Sequence, residues 1–322
     1  MHFISSTTKK ELAKVQSTIK KELSKEAIIR EIYSYVFDAE GKKTRALISL
    51  LASRDKSTNN VRRIELASVI ELLHTATLVH DDVVDESSLR RGAKSVNTVW
   101  NNSYSVLMGD FIYSKAFILM VKINHSEILR ELASATNDIA KGEILQLDLF
   151  KSNSSIQLKD LIKISYLKTG RLFEASARTG SMLNSKSSSQ ANSFGLLGKN
   201  LGIAFQIQDD ILDYDALKMR TGKTPLKDFK EGKITFPLFF ALESVSKRDR
   251  AYLLNRLGDE QLTKTEQQNI YNLVRSKEVS IKTHKLLNQY IQRTCKHLNA
   301  LKKHAGHNEM LELIKSSMER KK

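Results

Sequence analysis

The sequence predicts an all-α protein, and three observations lead to this fold class. Proline occurs only twice and glycine 13 times in 322 residues, so residues that interrupt helices are scarce. Aromatic residues make up only 7% of the chain. Apolar side chains recur at the spacing of an amphipathic helix through nearly its whole length. With 41% hydrophobic residues, the chain can bury one large core or two ordinary ones.

The predicted helices follow one another along the chain with short polar breaks between them. They cover residues 10–37, 44–53, 61–86, 103–122, 126–150, 158–180, 190–217, 235–244, 248–256, 264–276 and 279–300. The first is amphipathic, the second begins after a basic loop, and the third and seventh each carry an acidic cluster near their ends. The breaks, such as SRDKSTNN, KSNSS and NSKSSSQANS, are too short to be flexible linkers between domains.

The formal net charge of +16 suits a nucleic acid, an anionic lipid surface or a polyanionic small molecule as partner. Part of the excess lies in residues 281–322, which hold ten Lys or Arg and three Glu. A solvated helical surface is the more common explanation of such a segment, and weak peripheral contact with an anionic membrane is the alternative.

A cytoplasmic location is expected from the cysteine content and the N-terminus. The single cysteine, Cys295, excludes an internal disulfide and suits a reducing compartment. No apolar run reaches the roughly 18 residues of a membrane span. The N-terminus lacks the apolar segment of a secretory signal, and Glu11 and Glu22 argue against an organelle presequence.

An acidic pattern occurs twice, first as HDDVVDE and later as QDDILDY. Helix positions four apart share a face, so Asp81 and Asp85 point the same way, and Asp209 and Asp213 repeat this arrangement. Like charges at this spacing destabilise a helix by a few tenths of a kcal/mol, roughly. Two such clusters, each in an apolar helix, indicate that a cation offsets the repulsion.

The pattern favours magnesium. Carboxylates that leave ligand positions open suit Mg²⁺, which keeps waters and is commonly completed by phosphate oxygens. Zinc is disfavoured because neither cluster has the Cys and His residues that it prefers. A single DxxxD motif is more often a solvated acidic face, but two copies in apolar helices are far more specific. Facing each other, they would hold a diphosphate through several Mg²⁺ ions.

Basic residues lie where a polyanion site would need them. They are Arg90 and Arg91 after the first cluster, Lys42 and Arg45 in EGKKTRA, Lys168 in KTGRLF, and Lys223 and Lys233 in GKTPLKDFKEGK. Each alone is more often an ordinary surface charge. Together with the carboxylates, they predict a site for two diphosphates and Mg²⁺. A nucleic acid is disfavoured, because paired aspartates would repel its phosphates.

These motifs, in this order, resemble the trans-isoprenyl diphosphate synthases, the polyprenyl synthetase family, from residue 10 to about residue 300. The similar stretches are ELLHTATLVHDDVVDESSLRRG, LMGDFIYSKAF, KGEILQL, YLKTGRLF, LGIAFQIQDDILDY and GKTPLKDFKEGKITFPL. The resemblance implies one domain over residues 1–322 with the all-α isoprenoid synthase fold. In that fold, antiparallel helices surround a central cavity, and the two DDxxD motifs face each other at its mouth. The usual assembly is a homodimer.

The resemblance also assigns roles to individual residues. The catalytic and metal-binding aspartates match Asp81, Asp82, Asp85, Asp209, Asp210 and Asp213, with Asp81, Asp85 and Asp209 as the expected direct ligands of about three Mg²⁺. The allylic diphosphate site matches Arg90, Lys168, Thr169, Gln206, Lys223 and Lys233, and Lys168 also belongs to the catalytic set. The isopentenyl diphosphate site matches Lys42, Arg45, His74 and Arg91. Asp228 matches an aspartate near the metals.

Two histidines and two departures from the family's motifs bear on the predicted substrate sites. A lone helix histidine is more often structural, but the face and the family match of His74 favour substrate contact, whereas His80 has no such match. The family's usual GGKRxRP has Lys43 in place of its arginine, among other changes. Leu226 stands where the family commonly has glycine, so the loop after the second motif is expected to close differently.

The implied reaction is prenyl chain elongation. Mg²⁺ and basic side chains help the allylic diphosphate to ionise, and the double bond of isopentenyl diphosphate attacks the cation. Small residues, Thr77 and Ala76, stand four and five positions before Asp81, where short-chain enzymes of this family place aromatics. Because each opened helical turn adds about 5.4 Å of depth, we expect an all-trans product of about seven to ten isoprene units. Octaprenyl diphosphate, a precursor of quinone side chains, is the best match.

Three alternatives stay open to different degrees. A short-chain, geranylgeranyl-type synthase shares every motif except the tunnel residues. A class I terpene cyclase shares the fold, but its second metal motif usually mixes Asn, Ser and Glu, whereas the second DDxxD is intact here. A catalytically silent partner subunit would have lost some of its aspartates, and none is lost here.

Overall fold

The computed structural model describes residues 4–21, 26–38, 41–55, 60–90, 92–151, 156–183, 187–214 and 226–318. Its helices are α1 Ser6–Lys21, α2 Ala27–Asp38, α3 Thr44–Ala52, α4 Asn60–Val84, α5 Val96–Val99, α6 Asn102–Ile123, α7 Ser126–Lys151, α8 Leu158–Ser165, α9 Arg171–Met182, α10 Ser188–Asp213, α11 Lys227–Lys230, α12 Phe236–Ser244, α13 Lys247–Arg256, α14 Lys264–Val274, α15 Lys277–Asn299 and α16 His307–Met318. A π-helical turn, Tyr166–Gly170, joins α8 to α9. Strands β1 Leu89–Arg90 and β2 Ala93–Lys94 form a short antiparallel hairpin.

The all-α prediction is confirmed, and most predicted helices match an observed one. The prediction of one helix over 10–37 is wrong, because the structure has α1, a bend at Glu26 and then α2. Periodicity does not predict the hairpin or α11, which are too short to show a helical or strand period. It also misses α16 near the C-terminus.

The chain forms two compact units. The first comprises Met1–Asn137, Leu172–Gly198 and His297–Leu313, and the second Asp138–Arg171, Lys199–Lys296 and Ile314–Lys322. A single domain over 1–322 stays a prediction.

The core of the first unit is built around α4. This helix is apolar on most of its circumference, and it packs against α1, α3 and α6. Leu66, Ile70 and Leu73 from α4 and Ile112 from α6 are completely buried there. A helix enclosed in this way has a fixed rotation about its axis, and that rotation determines where its C-terminal aspartates point.

The core of the second unit is aromatic at its centre. Tyr214, Phe229 and Phe236 are almost completely buried beside Ile207 and Ile270. Helix α12 begins here with a proline in its first turn, where the missing N–H would be unsatisfied in any case. This core anchors the C-terminal end of α10, which carries the second acidic cluster.

Leu226, which stands where the resembling family commonly has glycine, has a left-handed backbone conformation. Its φ of 57° and ψ of 38° lie in the left-handed region that glycine favours, and its side chain is buried. At this residue the backbone therefore has a glycine-like conformation with leucine, at a cost of roughly 1–2 kcal/mol. The expectation that the loop closes differently stays a prediction.

Within the described part of the chain, every helix is too short or too polar to cross a membrane.

Candidate active site

The first acidic cluster lies at the C-terminal end of α4. Asp81 and Asp85 are half-buried, whereas Asp82 is buried. The Arg90 guanidinium donates to Asp82 Oδ1 from Nε at 2.8 Å and from Nη2 at 2.5 Å. The hairpin that follows α4 thus returns a cation to the buried carboxylate, and the two aspartates predicted as metal ligands are the more accessible ones.

His80 anchors this end of α4 to α6. Its Nε2 lies 3.1 Å from the carbonyl oxygen of Val106 and 3.4 Å from Asp110 Oδ1. Gly109 is required at the crossing, because a Cβ there would lie 2.1 Å from the imidazole. These contacts are consistent with the structural role expected for His80.

The second cluster, at the end of α10, is held by uncharged donors. Asp210 Oδ1 accepts from the Gln206 side-chain amide at 2.8 Å, and Asp210 Oδ2 accepts from the Phe236 backbone N–H at 3.1 Å. Asp213 Oδ2 accepts from the Asp228 backbone N–H at 3.1 Å. Both carboxylates are buried, whereas Asp209 is half-buried. As in the first cluster, the aspartate predicted as a metal ligand is the accessible one.

Burial of several acids together makes the second cluster costly to ionise. Desolvation, and then the Asp213 charge, raise the pKa of Asp228 to about 7. Desolvation, and then the Asp228 charge, raise the pKa of Asp210 well above its usual value. Desolvation likewise raises the pKa of Tyr214. A bound cation would favour the ionised carboxylates.

The π-helical turn presents Lys168 and Thr169. Lys168 Nζ lies 2.6 Å from Glu143 Oε2 and donates to Gln146 Oε1 at 2.9 Å. The Thr169 hydroxyl donates to Gln206 Oε1 at 2.7 Å. Gln206 therefore links the turn to Asp210, and π turns of this kind often occur at functional sites.

A cavity of 140 Å³ in the second unit brings several of these groups together. Its polar lining includes Gln146, Lys168, Gln206, Asp210, Asp228 and Lys233. Lys233 Nζ lies 2.8 Å from Glu231 Oε2. Cations, carboxylates and an amide around one small cavity suit a phosphate group accompanied by metal ions.

Two predicted isopentenyl-site residues contact each other in the first unit. Arg45 Nη1 lies 2.9 Å from His74 Nε2, and its guanidinium stacks 4.6 Å from the centre of the Phe173 ring. Because the guanidinium can only donate, this imidazole nitrogen accepts. Lys42 lies exposed just before α3.

A second cavity, of 370 Å³, lies beside the first acidic cluster. Its lining combines apolar groups with charged ones: Tyr35, Val36, Phe37, Lys43, Glu71, Thr75, Leu78, Val79, Asp82, Arg90, Lys94 and Val96 among them. Neither Arg45 nor His74 contributes to it. An apolar body with charges at one side suits a short hydrocarbon that carries an anionic group.

The chain-length candidates differ in their surroundings. Ala76 is completely buried in the core of the first unit. Thr77 is half-buried, and its hydroxyl donates to the His74 carbonyl at 2.7 Å. Arg91 and Lys223, predicted for the two diphosphate sites, lie outside the described residues.

No closed metal site is preformed in the described part of the chain, since no three acidic, imidazole or thiol groups converge there. This donor set nevertheless fits Mg²⁺, which takes one or two carboxylates and completes its shell with water and substrate phosphates. The predicted ligands are the accessible carboxylates of Asp81 and Asp85 in the first unit and of Asp209 in the second.

Sequence reasoning missed the partners of Lys168. Glu143 and Gln146 belong to the stretch KGEILQL, which resembles the family but received no role. No local signal pairs them with Lys168, because the contact spans more than 20 residues and depends on the π turn.

Fold and site together define a prenyltransferase with the isoprenoid synthase fold. A polyprenyl synthase from Caulobacter crescentus CB15, solved with calcium and isoprenyl diphosphate, matches with a TM-score of 0.89 and 31% identity over 98% of this chain and 96% of that one. A decaprenyl diphosphate synthase from Rhodobacter capsulatus matches with a TM-score of 0.90 and 30% identity over 98% and 97%.

Sequence comparison identifies the family. The octaprenyl diphosphate synthase of Escherichia coli is 38% identical over 240 residues, which is 74% of each chain. The family model described as polyprenyl synthetase matches residues 26–274. The chain belongs to the polyprenyl synthetase family, and the resemblance found in its motifs is confirmed.

Proposed function

We propose that this enzyme condenses isopentenyl diphosphate with an allylic diphosphate, such as farnesyl diphosphate, to an all-trans polyprenyl diphosphate of about eight isoprene units for a quinone side chain. The two intact DDxxD motifs carry the proposal, and the octaprenyl and decaprenyl relatives support a long product. The test is turnover of labelled isopentenyl diphosphate with farnesyl diphosphate, followed by chromatography of the dephosphorylated products. A farnesyl or geranylgeranyl product would instead favour the short-chain alternative.

Asp81, Asp85 and Asp209 are proposed to hold about three Mg²⁺ together with the diphosphate oxygens. When bound, these ions withdraw charge from the leaving group. Asp82, Asp210 and Asp213 are proposed to shape the clusters, because each is buried and contacts a protein donor. Calcium in the Caulobacter relative supports a divalent cation in this family.

For the allylic diphosphate we propose six groups: Arg90, Lys168, Thr169, Gln206, Lys223 and Lys233. Lys168 and Lys233 line the same cavity as Asp210, which supports their joint role. As the C–O bond of the allylic substrate breaks, the arginine and lysine side chains of this set stabilise the departing diphosphate. The Lys168–Thr169 carbonyl region and Gln206 present dipoles that stabilise the allylic carbon cation.

For isopentenyl diphosphate we propose Lys42, Arg45, His74 and Arg91. The contact between Arg45 and His74 fixes both side chains and supports this grouping. The double bond of isopentenyl diphosphate attacks the allylic cation and forms the new C–C bond. The resulting cation loses a proton to the departed diphosphate, so no side-chain nucleophile is needed. Exclusion of water from the cation is a further requirement of the site.

Product length is proposed to depend on the open turn at Ala76 and Thr77. Thr77→Phe is the cleaner test, because this side chain is half-buried on the face of α4 that carries His74 and Asp81. We expect a shift to farnesyl or geranylgeranyl diphosphate with turnover retained. Ala76→Phe should shorten the product too, although its ring must displace core side chains. Full-length product from both variants would contradict the open-tunnel proposal.

We propose a homodimer through α6. Leu107, Ile118 and Val121 lie on one face of this helix and are 66%, 49% and 66% exposed, while the opposite face is buried. Such an apolar stripe favours coverage by a second copy. Leu107→Asp with Val121→Asp should give a monomer in light scattering, whereas Leu254→Asp, at another exposed leucine, should not. Equal masses for all three proteins would contradict this interface.

Cytoplasmic location and weak peripheral membrane contact complete the proposal. The exposed face of α15 carries Lys277, Lys285, Arg293 and Lys296. Their charge would attract an anionic surface, where a long-chain product must be delivered. Flotation with anionic and neutral liposomes is the test, and binding that salt does not weaken would contradict it.

A further inference from the structure

The stretch KGEILQL has no assigned role in the reaction, yet the structure brings two of its side chains onto the ammonium of Lys168. Glu143 and Gln146 are three positions apart on α7 and therefore share a helix face. Glu143 Oε2 lies 2.6 Å from Lys168 Nζ, and Gln146 Oε1 accepts from it at 2.9 Å.

We infer that Glu143 and Gln146 are positioning residues that hold the Lys168 ammonium ready for a diphosphate oxygen. An ammonium has three donors, and these two acceptors engage two of them. With two directions fixed, the tetrahedral geometry also fixes the third. Lys168 and Gln146 both line the 140 Å³ cavity that contains Asp210 and Lys233.

The backbone supports this arrangement. Gly142, one residue before Glu143, is buried against the π turn. A Cβ on it would lie 2.8 Å from Leu167 Cβ and 3.1 Å from the Lys168 backbone nitrogen. Glycine at this position therefore lets α7 lie directly against the π turn, where Glu143 and Gln146 contact the lysine.

Lysine has a flexible four-carbon stem, so an unheld ammonium samples many positions. Fixing it before the substrate arrives lowers the ordering cost of binding. The expected consequence is specific: loss of either acceptor weakens diphosphate binding at this site and leaves the isopentenyl site unchanged. The inference rests on the proposed role of Lys168 in holding the allylic diphosphate.

The variants separate acceptor geometry from charge. Glu143→Leu and Gln146→Leu remove an acceptor, whereas Glu143→Gln and Gln146→Glu keep an oxygen at the same reach. We expect the leucine variants to raise the KM for farnesyl diphosphate and the Kd for magnesium diphosphate, measured by calorimetry, by about tenfold, roughly one lost hydrogen bond at a partly buried cation. The conservative variants should stay within about threefold, and so should Asp148→Asn, which removes an exposed charge from the same helix.

A double-mutant cycle decides between positioning and general structural damage. In a Lys168→Met background, neither leucine substitution should change the KM or the Kd further, since groups that act through one side chain are not additive. Acetic anhydride labelling of the metal-free protein gives a readout without substrate, and Lys168 should react faster in both leucine variants.

Additive effects in the Lys168→Met background, or an equal rise in the KM for isopentenyl diphosphate, would overturn the positioning role while leaving Lys168 in its site. An unchanged farnesyl diphosphate KM in Lys168→Met alone would overturn the assignment of Lys168, and the positioning inference with it. If a leucine variant does not fold, Glu143→Ala or Gln146→Ala removes the same acceptor without adding a branched apolar side chain, and the same rise in KM is expected.

Discussion

In the first acidic cluster the buried carboxylate of Asp82 meets a guanidinium, whereas in the second the donors to Asp210 are an amide and a backbone N–H. Asp228 adds a further buried acid to the second cluster. Two motifs with nearly the same sequence are therefore neutralised by different means. In the first cluster a guanidinium contacts the buried carboxylate directly, whereas in the second the charges of Lys233 and Lys227 offset only part of the desolvation of Asp228 and its repulsion from Asp213.

The same sequence motif can therefore have different charged neighbours in the two places where it occurs. Asp81 and Asp209 occupy equivalent places in the two patterns and are both accessible, whereas accessible Asp85 corresponds to Asp213, which is buried. Their buried neighbours determine how much the ionised carboxylates of each cluster reduce the stability of the metal-free protein. We therefore expect Mg²⁺ with diphosphate to stabilise the second cluster more than the first.

The largest expected effect comes from removing an accessible aspartate. Asp81→Ala and Asp209→Ala should each lower turnover by about three orders of magnitude or more, because the leaving group loses a metal that stabilises its charge. Without Mg²⁺ the melting temperature should stay level or rise, and the rise should be larger for Asp209→Ala. Steady-state assays and thermal melts check this. Near-normal turnover in both variants would refute the proposal that both acidic clusters bind the metal ions of the leaving group.

The next effect is a pH dependence of stability that arises from Asp228 in the second cluster. The pKa of Asp228 is raised to about 7, so its contribution to stability is complete below about pH 4 and is lost as pH rises through 7. Asp228→Asn cannot ionise, and its stability relative to the metal-free natural protein should rise over that range by up to about 4 kcal/mol.

Urea unfolding at several pH values, without metal, measures this difference. Asp148→Asn, at an exposed aspartate, is the control for the substitution itself. A pH-independent difference for Asp228→Asn would mean that the acid ionises freely in the folded protein.

The sequence alone predicts those features of the two clusters that depend on neighbouring residues of one helix. The spacing of Asp81 and Asp85 on one helix follows from helical periodicity alone. The pairing of Asp82 with Arg90 does not, because it depends on a hairpin of two-residue strands that no periodicity reveals. The contact of Lys168 with Glu143 was hidden in the same way by the π turn. Long helices are encoded by many residues, whereas these contacts depend on single long-range packing events.

Arg90 offers a smaller test on the first cluster. Arg90→Met should leave Asp82 buried without its guanidinium and cost about 3 kcal/mol of stability, the lower end for a broken buried pair because Arg90 is one-third exposed. It should also raise the KM for the allylic substrate more than that for isopentenyl diphosphate. Lys264→Met, at an exposed lysine that lines neither of the two described cavities, is the control.

The loss of stability in Arg90→Met is expected to arise because the Asp82 carboxylate stays buried without the guanidinium. Adding Asp82→Asn to Arg90→Met should then restore most of the stability without restoring the KM for the allylic substrate. Equal KM changes for both substrates would show that Arg90 does not distinguish the two diphosphates.

The smallest effect compares the turns that follow the two clusters, since each contains a non-glycine residue in the left-handed region. Glu86 has φ 49° and is exposed, whereas Leu226 has φ 57° and is buried.

Glycine removes about 1–2 kcal/mol of backbone strain at either position but adds roughly 0.5–1 kcal/mol of unfolded-state entropy. Glu86→Gly should therefore stabilise the protein by about 0.5 kcal/mol. Leu226→Gly gives up a buried side chain as well and should destabilise it by about 2 kcal/mol. Urea unfolding of the metal-free variants checks the opposite signs, and a gain in stability for Leu226→Gly would show that the leucine side chain contributes little to the core beside Asp228.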